Sequence, residues 1–407
     1  MRKHLLTSFV ILLFLIAGTI LVVLYGRGYR INLQDGKPDV SKTGILAAKS
    51  QPDGAQVYID GDLTAATNEN INLTPGEYTV RIVKDGYFSW EKHIAITEEV
   101  VTYADAYLFP TAPKLESITS TGIKNPILDP TKTKLAYTIA SQSAQKNGIY
   151  VYDMAANPVI AFQGAARQIA DDTVALMSES VLSWSANGAF VIASVSSELG
   201  EGQQTFQLEA NSFNENPQDI SETLSIFVAE ETQRKLEEDR SRRSGLRREL
   251  RSLLQNHFRI ISWSPDSTKI LYQATTSATL PLVIKPRIPG IHTLTEERIL
   301  NKDAVYVYNI SEDANYKLLD GLPENCNLIK GDCVLPLLWF PTSKHLLHVH
   351  DRRIDIVESD GGNRTTLYAG PFVDTYVFPW PNGSRFVILA NFNNDTIPPN
   401  LYTIVLR

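Results

Sequence analysis

The chain has 407 residues, 43% of them hydrophobic, and a net charge of −7 from 38 Lys and Arg against 45 Asp and Glu. That length suits two or three domains, and the apolar share excludes wholesale disorder. The acidic balance argues against a nucleic-acid partner, whose phosphates demand a basic face.

The amino terminus carries the first readable element. Leu5 to Tyr25 is an apolar run without a charge, preceded by Arg2 and Lys3. At about 1.5 Å per helical residue it matches the ~30 Å hydrocarbon core of a bilayer. It ends Leu-Val-Val-Leu-Tyr25 without an Ala-x-Ala cleavage pattern, so it predicts an uncleaved transmembrane signal anchor. A cleaved signal peptide and a buried core helix are the alternatives. Residues 1–30 are expected to form a cytoplasmic tip and anchor, with 31–43 as a polar linker. Arg2 and Lys3 on one side nearly balance Arg27 and Arg30 on the other, so charge alone barely orients the helix. The bulk of the chain is expected outside the cytoplasm.

From 44 to 110 turn signals alternate with strand patterns. Pro52-Asp53-Gly54 is a turn, and Val57 and Ile59 alternate with Gln56 and Tyr58. Asp60-Gly61 is a hairpin signal, Thr74-Pro75-Gly76 and Asp85-Gly86 are turns, and His93 to Thr97 reads as a closing strand. The expected fold is a small antiparallel β-sandwich. These residues resemble the PEGA domain family. The family's motif stands here as Pro52-Asp53-Gly54-Ala55 followed by Val57-Tyr58-Ile59-Asp60-Gly61, and its later Pro-Gly and Gly-Tyr pattern as Pro75-Gly76 and Gly86-Tyr87. Two departures are Asp53 for Glu and Thr64-Ala-Ala-Thr67 where the family often has Thr-Pro. The resemblance implies an accessory module of envelope and surface-layer-like proteins, without known catalysis.

Residues 111–407 repeat. Five segments share one template of strand, tight polar turn and strand: Pro126 to Tyr137, Leu182 to Ala193, Ile261 to Tyr272, Leu338 to His348 and Phe378 to Leu389. Further strands follow at Gly148 to Asp153, Ala304 to Asn309, Arg353 to Val357 and Asn400 to Val405. Four strands per repeat make the blade of a β-propeller. The third segment, Trp263-Ser264-Pro265-Asp266-Ser267, resembles the repeat of TolB-like and WD-repeat-like propellers, with Ser267 in place of the usual Gly. Lys114 to Ser120 reads as an outer strand that precedes the first blade and is expected to complete the last one, removing an edge. The spacing allows five to seven blades. Between 221 and 258 the strand pattern gives way to helical spacing of leucines, split at Gly245. This insertion reads either as a helical hairpin on the rim or as a docking element that uses Arg240, Arg242, Arg243, Arg247, Arg248 and Arg251.

Candidate chemistry is sparse. Cys326 and Cys333 flank a Lys-Gly-Asp turn and suit a disulfide in an oxidising compartment, free thiols being the alternative. Two cysteines without further ligands nearby do not make a zinc site. His345, His348 and His350 lie close together, and alternation puts His348 and His350 on one strand face, where two imidazoles could bind metal; a partly exposed strand is the plainer reading. Asn391-Phe-Asn-Asn-Asp395 offers oxygens to calcium without the spacing of a dedicated loop. The sequon at Asn382-Gly-Ser384 matters only in a glycosylating host. No nucleophile elbow, phosphate loop or His-Glu-x-x-His motif occurs, and no cofactor is expected. The expectation is therefore a non-catalytic, membrane-anchored envelope protein that binds or scaffolds extracytoplasmic proteins or glycans. A propeller hydrolase or lyase acting on an envelope polymer, and a purely structural spacer, are the rival readings.

Overall fold

A computed structural model describes residues 2–26, 29–34, 37–155, 166–196, 203–285, 296–323, 335–392 and 398–407. The chain divides into two compact units: residues 1–111 with 284–296 and 312–314, and the remainder from Ala112 to Arg407.

The first unit opens with helix α1, Arg2–Gly26. Its described side chains, Phe9 to Ile20 with Val22 and Val23, are all exposed. Among the described residues no helix is long and apolar enough to cross a membrane. Where a plain linker is expected, Tyr29–Gln34 pairs with Lys37–Lys42 in an antiparallel hairpin. The sequence between them is Asp-Gly, residue types that two-residue hairpins favour.

The β-domain packs two sheets. One holds Gly44–Gln51 between Glu69–Leu73 and Val101–Tyr107; the other orders Asp62–Ala66, Gln56–Ile59, Gly76–Val83 and Trp90–Ile96. Alternate residues turn inward, and Leu46, Val57, Val80, Ile82 and Ile94 are fully buried between the sheets. The sandwich is not wholly antiparallel, however. Gly44–Gln51 runs parallel to Val101–Tyr107, with Ile45 opposite Val101. Reversals along the chain return the seventh strand to the direction of the first, so the two are parallel once side by side. Thr67 has a role that its departure from the family pattern conceals. Its Oγ1 accepts from the Ala55 N–H at 3.0 Å and shares a hydrogen bond with Ser50 Oγ at 2.7 Å, tying down the Pro52–Ala55 turn.

Among the described residues, the second unit contains five four-stranded sheets. Blade 1 is Lys124–Leu128, Lys134–Ile139, Gly148–Asp153 and Ala166–Asp171. Blade 2 is Val181–Trp184, Phe190–Ser196, Gln203–Glu209 and Gln218–Asp219. Blade 3 is Phe258–Trp263, Lys269–Ala274, Val305–Asn309 and Ala314–Leu319. Blade 4 is Leu337–Trp339, His345–His350, Arg353–Glu358 and Thr365–Ala369. Blade 5 is Val377–Pro379, Arg385–Ala390 and Asn400–Val405, completed by Lys114–Ser117. The closing strand pairs Lys114 with Val405 and Ser117 with Tyr402, as its place in the sequence leads one to expect.

Each blade's first hairpin turns through a polar loop for a local reason. Asp129, almost fully buried, accepts from the Thr133 N–H at 2.7 Å and the Lys134 N–H at 2.6 Å. Asp266 accepts from Ser264 Oγ at 2.6 Å and the Thr268 N–H at 3.0 Å. Short acceptor side chains satisfy the turn's backbone donors, which is why Asp and Asn recur there. Ser267 holds a positive φ of 59°, the position where related repeats use glycine.

Apolar clusters join neighbouring blades. Ile149, Val191 and Phe206 link blades 1 and 2; Leu271, Leu337 and Trp339 link blades 3 and 4; Tyr137, Val387 and Leu401 link blades 1 and 5. The first strand of blade 5, although at a sheet edge, is buried throughout, whereas the opposite edge, Lys114–Ser117, is exposed throughout. A buried edge must be covered by other blades, so first strands face the ring axis and last strands the perimeter. The length between the second and third repeats, which left room for a sixth blade, is taken up by α2 (Leu224–Ser244) and α3 (Arg248–His257). Between the third and fourth, the minor pair Ala278–Thr279 and Ile299–Leu300 takes up part of the slack. Gly245 separates the two helices. α3 buries Leu250, Leu253 and Leu254 against Phe258 and Tyr272 of blade 3, a contribution of about 1.5–3 kcal/mol for each leucine.

Candidate functional site

The five first hairpins place their turns at one end of the ring. The turns of blades 1 and 2 approach each other at Gly188, where an added Cβ would come within 3.0 Å of Asp129 Oδ2. Those of blades 3 and 4 meet where the Asp266 N–H donates to Ser343 Oγ at 3.1 Å. α2 lies over this end. The Ala186 N–H in the blade 2 turn donates to Glu231 Oε2, and Glu231 also pairs with Arg234 at 3.3 Å. The half-buried residues of α2 include Leu224, Phe227, Glu231, Asp239 and Arg243, whose spacings of three, four and eight keep them on one helical face. That seam is mostly polar, and the helix buries no side chain fully.

Beneath the second half of α2 lies a cavity of about 680 Å³. Its walls are Thr131 and Lys132 from the blade 1 turn, Ser262 and Trp263 from the inner strand of blade 3, and Arg242 and Arg243 from α2. The space thus touches the blade 1 turn, blade 3 and α2 together, at the hairpin-turn end of the propeller, its mouth. Asp239 pairs with Arg243 at 2.7 Å. Lys132 and Arg242 have no ion-pair partner among the described residues. The Lys132 ammonium is pulled below the usual lysine range, first by the protein crowded around it and then by the Arg242 charge, although the residue as a whole stays exposed. Trp263 Nε1 and Arg243 Nε are buried and lack an acceptor among the described residues. Donors of this kind, left unmatched, suit a ligand that brings oxygens.

A second cluster sits at the far end of blade 4. His345–His350 runs away from the first-hairpin turn, so His350 lies about 17 Å along the strand from His345. His348 and His350 share a face, with ring centroids 4.3 Å apart, and Asp355 lies directly across from His348 on the next strand. His350 Nε2 is 2.8 Å from Asp355 Oδ2, and Thr366 Oγ1 donates to Asp355 Oδ1 at 2.7 Å. Arg364 Nη1 donates to His348 Nδ1 at 2.6 Å. Burial holds the His348 imidazole down to about 4, with the His350 and Arg364 charges adding to it, so it is neutral at physiological pH. Burial raises the Asp355 carboxyl, but the hydrogen bonds from His350 and Thr366 and the nearby cations outweigh it and leave the group below the usual range.

The structure therefore separates the candidates. Arg242 and Arg243 reach the mouth, while Arg240, Arg248 and Arg251 are exposed elsewhere on the two helices and Arg247 is exposed in the link between them. His345 is not in the histidine pair's cluster; it is buried, with Nδ1 2.9 Å from Thr342 Oγ1. Cys326 and Cys333 lie outside the described residues, as does most of Asn391 to Asp395. The sequence marks Trp263 only as a repeat residue, and it does not mark Lys132, Asp355 or Arg364 as site residues. Asp355 gave no local signal: alternation puts it on the face opposite Ile354 and Ile356, which in sequence reads as a solvent-facing charge.

Residues 43–111 match the PEGA domain. No curated protein matches the chain. Among solved structures, the chain is similar to a putative TolB from Agrobacterium tumefaciens, at 13% identity over 74% of each chain with a TM-score of 0.21. It is also similar to the β-propeller domain of the Trilobed protease from Pyrococcus furiosus, at 10% identity over 89% of this chain and 96% of that one, with a TM-score of 0.23. At TM-scores this low the propeller assignment rests on the strand pairing itself. The chain joins a PEGA domain to a β-propeller with five blades among the described residues.

Proposed function

We propose that this is a membrane-anchored, non-catalytic cell-envelope protein, held by α1 with its PEGA domain and propeller outside the cytoplasm, whose propeller mouth binds a protein or glycan segment rich in acceptor oxygens. The carrying observation is the cavity of about 680 Å³ under α2, where, among the described residues, two buried N–H groups lack acceptors and two cations lack ion-pair partners. The Trp263 indole adds a flat apolar face of the kind that sugar rings and aromatic side chains stack on. Because α2 rests on a polar seam and buries nothing fully, it is a roof that a ligand can displace at small cost. Anchoring is supported by the uncharged run from Leu5 to Tyr25 and by the helical backbone from Arg2 to Gly26.

Two measurements test this reading. Intact cells bearing a C-terminally tagged chain are treated with a non-permeant protease; the tag should be lost while a cytoplasmic control survives. Protection that persists after the outer layers are opened would overturn the topology. Purified full-length protein is then titrated against isolated envelope polymer and surface-protein fractions. Saturable binding should weaken at least tenfold in the Arg242→Gln/Arg243→Gln variant. Equal binding by the variant would remove the mouth as the site, and release of product above background would refute the non-catalytic assignment.

A further inference from the structure

The geometry points to a divalent transition-metal site at the far end of blade 4, formed by His348, His350 and Asp355, which Arg364 and the metal occupy in competition. The three donor groups each place one ligand atom within 4.8 Å of the others. Two come from alternate residues of one strand and the third from the facing residue of the next, so the ladder itself fixes their spacing. Metal–nitrogen and metal–oxygen distances of about 2.0–2.2 Å require only a modest closing of this triangle. Two imidazoles with one carboxylate select the zinc, copper, nickel and cobalt group over calcium or magnesium, which prefer oxygen alone.

The surroundings are those of a ligand set. Thr366 Oγ1 donates to Asp355 Oδ1, which orients Oδ2 toward the histidines. His348 and His350 also line a cavity of about 650 Å³ together with Asp351 and Asp374, so an ion has a path in and open positions for water or an outer ligand. Asp351 Oδ2 lies 3.4 Å from His350 Nδ1. The competing group is Arg364. It donates to His348 Nδ1 and lies 3.9 Å from Asp355 Oδ2, so it spends the lone pair a metal would take and adds a repelling charge. Its side chain is 38% exposed and can turn outward. Metal binding and the Arg364 contact are therefore mutually exclusive.

The test uses full-length protein in detergent, with any polyhistidine tag removed, titrated with Zn²⁺ by calorimetry and with Co²⁺ by visible absorption. Wild-type protein should bind one ion per chain, with a cobalt spectrum showing nitrogen ligation. The His348→Ala and Asp355→Asn variants should lose that site, and Thr366→Val should weaken it roughly 10- to 100-fold, as loss of an orienting partner does. Arg364→Gln, a change at a half-exposed position, should tighten it at least tenfold while thermal unfolding stays close to wild type. The proposal fails if neither wild type nor Arg364→Gln binds stoichiometrically, or if the His348→Ala/His350→Ala double variant binds as wild type does. Arg364→Gln binding no more tightly than wild type would overturn the competition. None of these outcomes bears on the mouth.

Discussion

Beside the closing ladder, one side chain supports the closure and can be removed on its own. Asn400 Oδ1 accepts from Thr119 Oγ1 at 3.0 Å and from the Gly122 N–H at 2.9 Å, fastening the segment after the closing strand to the last blade. The Asn400→Ala substitution deletes both bonds and leaves two half-buried donors. At about 0.5–1.5 kcal/mol for each net hydrogen bond, the latch loses about 1–3 kcal/mol. The ladder from Lys114 to Ser117 has only four residues, so this loss should appear as local opening before global unfolding. Hydrogen–deuterium exchange of amides in Lys114–Ser117 and Asn400–Val405 should speed up by roughly 5- to 150-fold, while exchange in blade 3 stays unchanged. The Asn400→Asp variant keeps an acceptor oxygen in place and should exchange close to wild type. Equal acceleration in both variants, or none in Asn400→Ala, would show that the side-chain latch does not hold the closure.

Two further outcomes follow from the core. Leu254→Ala should destabilise the propeller by about 2–5 kcal/mol in denaturant unfolding, because α3 seats this leucine against blade 3, whereas Arg251→Ala on the solvent side should change stability by about 0.5 kcal/mol or less. Tyr272 governs the alkaline limit. Burial, reinforced by Tyr306, pushes its phenol well above the usual range, and its hydroxyl donates to Asn315 Oδ1 at 2.7 Å. A folded pKa above the unfolded value stabilises the fold fully below about pH 10 and loses that contribution as pH rises beyond it. Tyr272→Phe should therefore be less stable at pH 7, by about 1–3 kcal/mol for the orphaned Asn315, yet lose stability less steeply above pH 10, as read from melting temperatures across the range.

The parts of this fold that were legible in the sequence are those governed by neighbours along the chain. Trp263-Ser264-Pro265-Asp266 announces a hairpin because Asp266 satisfies the turn it sits in, and Asp60-Gly61 does the same in the PEGA domain with two positive φ angles. Leu250, Leu253 and Leu254 mark α3 because a helix must bring them to one face. The parallel pairing of Gly44–Gln51 with Val101–Tyr107 was missed because no local pattern records which distant strand comes alongside. The mouth was missed for the same reason. Lys132 and Arg242 stand 110 positions apart, and only ring closure puts them on one cavity. The histidine pair was visible through alternation, but its carboxylate depended on the register of the following strand, and its guanidinium on a loop beyond that.

The pairing of Lys114 with Val405 also has a meaning in time. A ribosome delivers the first of these residues about 290 positions before the second. The strands of the PEGA domain, Gly44 to Tyr107, are all made early, while the propeller remains for most of synthesis a row of blades with an unpaired edge at each end. Folding of the ring is therefore slow by its topology, and it is most exposed to wrong pairing just before it finishes. A nascent chain halted before Asn400 would carry a PEGA domain but an open ring. Pairing of the early strand Lys114–Ser117 with the late strand Asn400–Val405 is thus the step on which the last blade, and with it the propeller, waits.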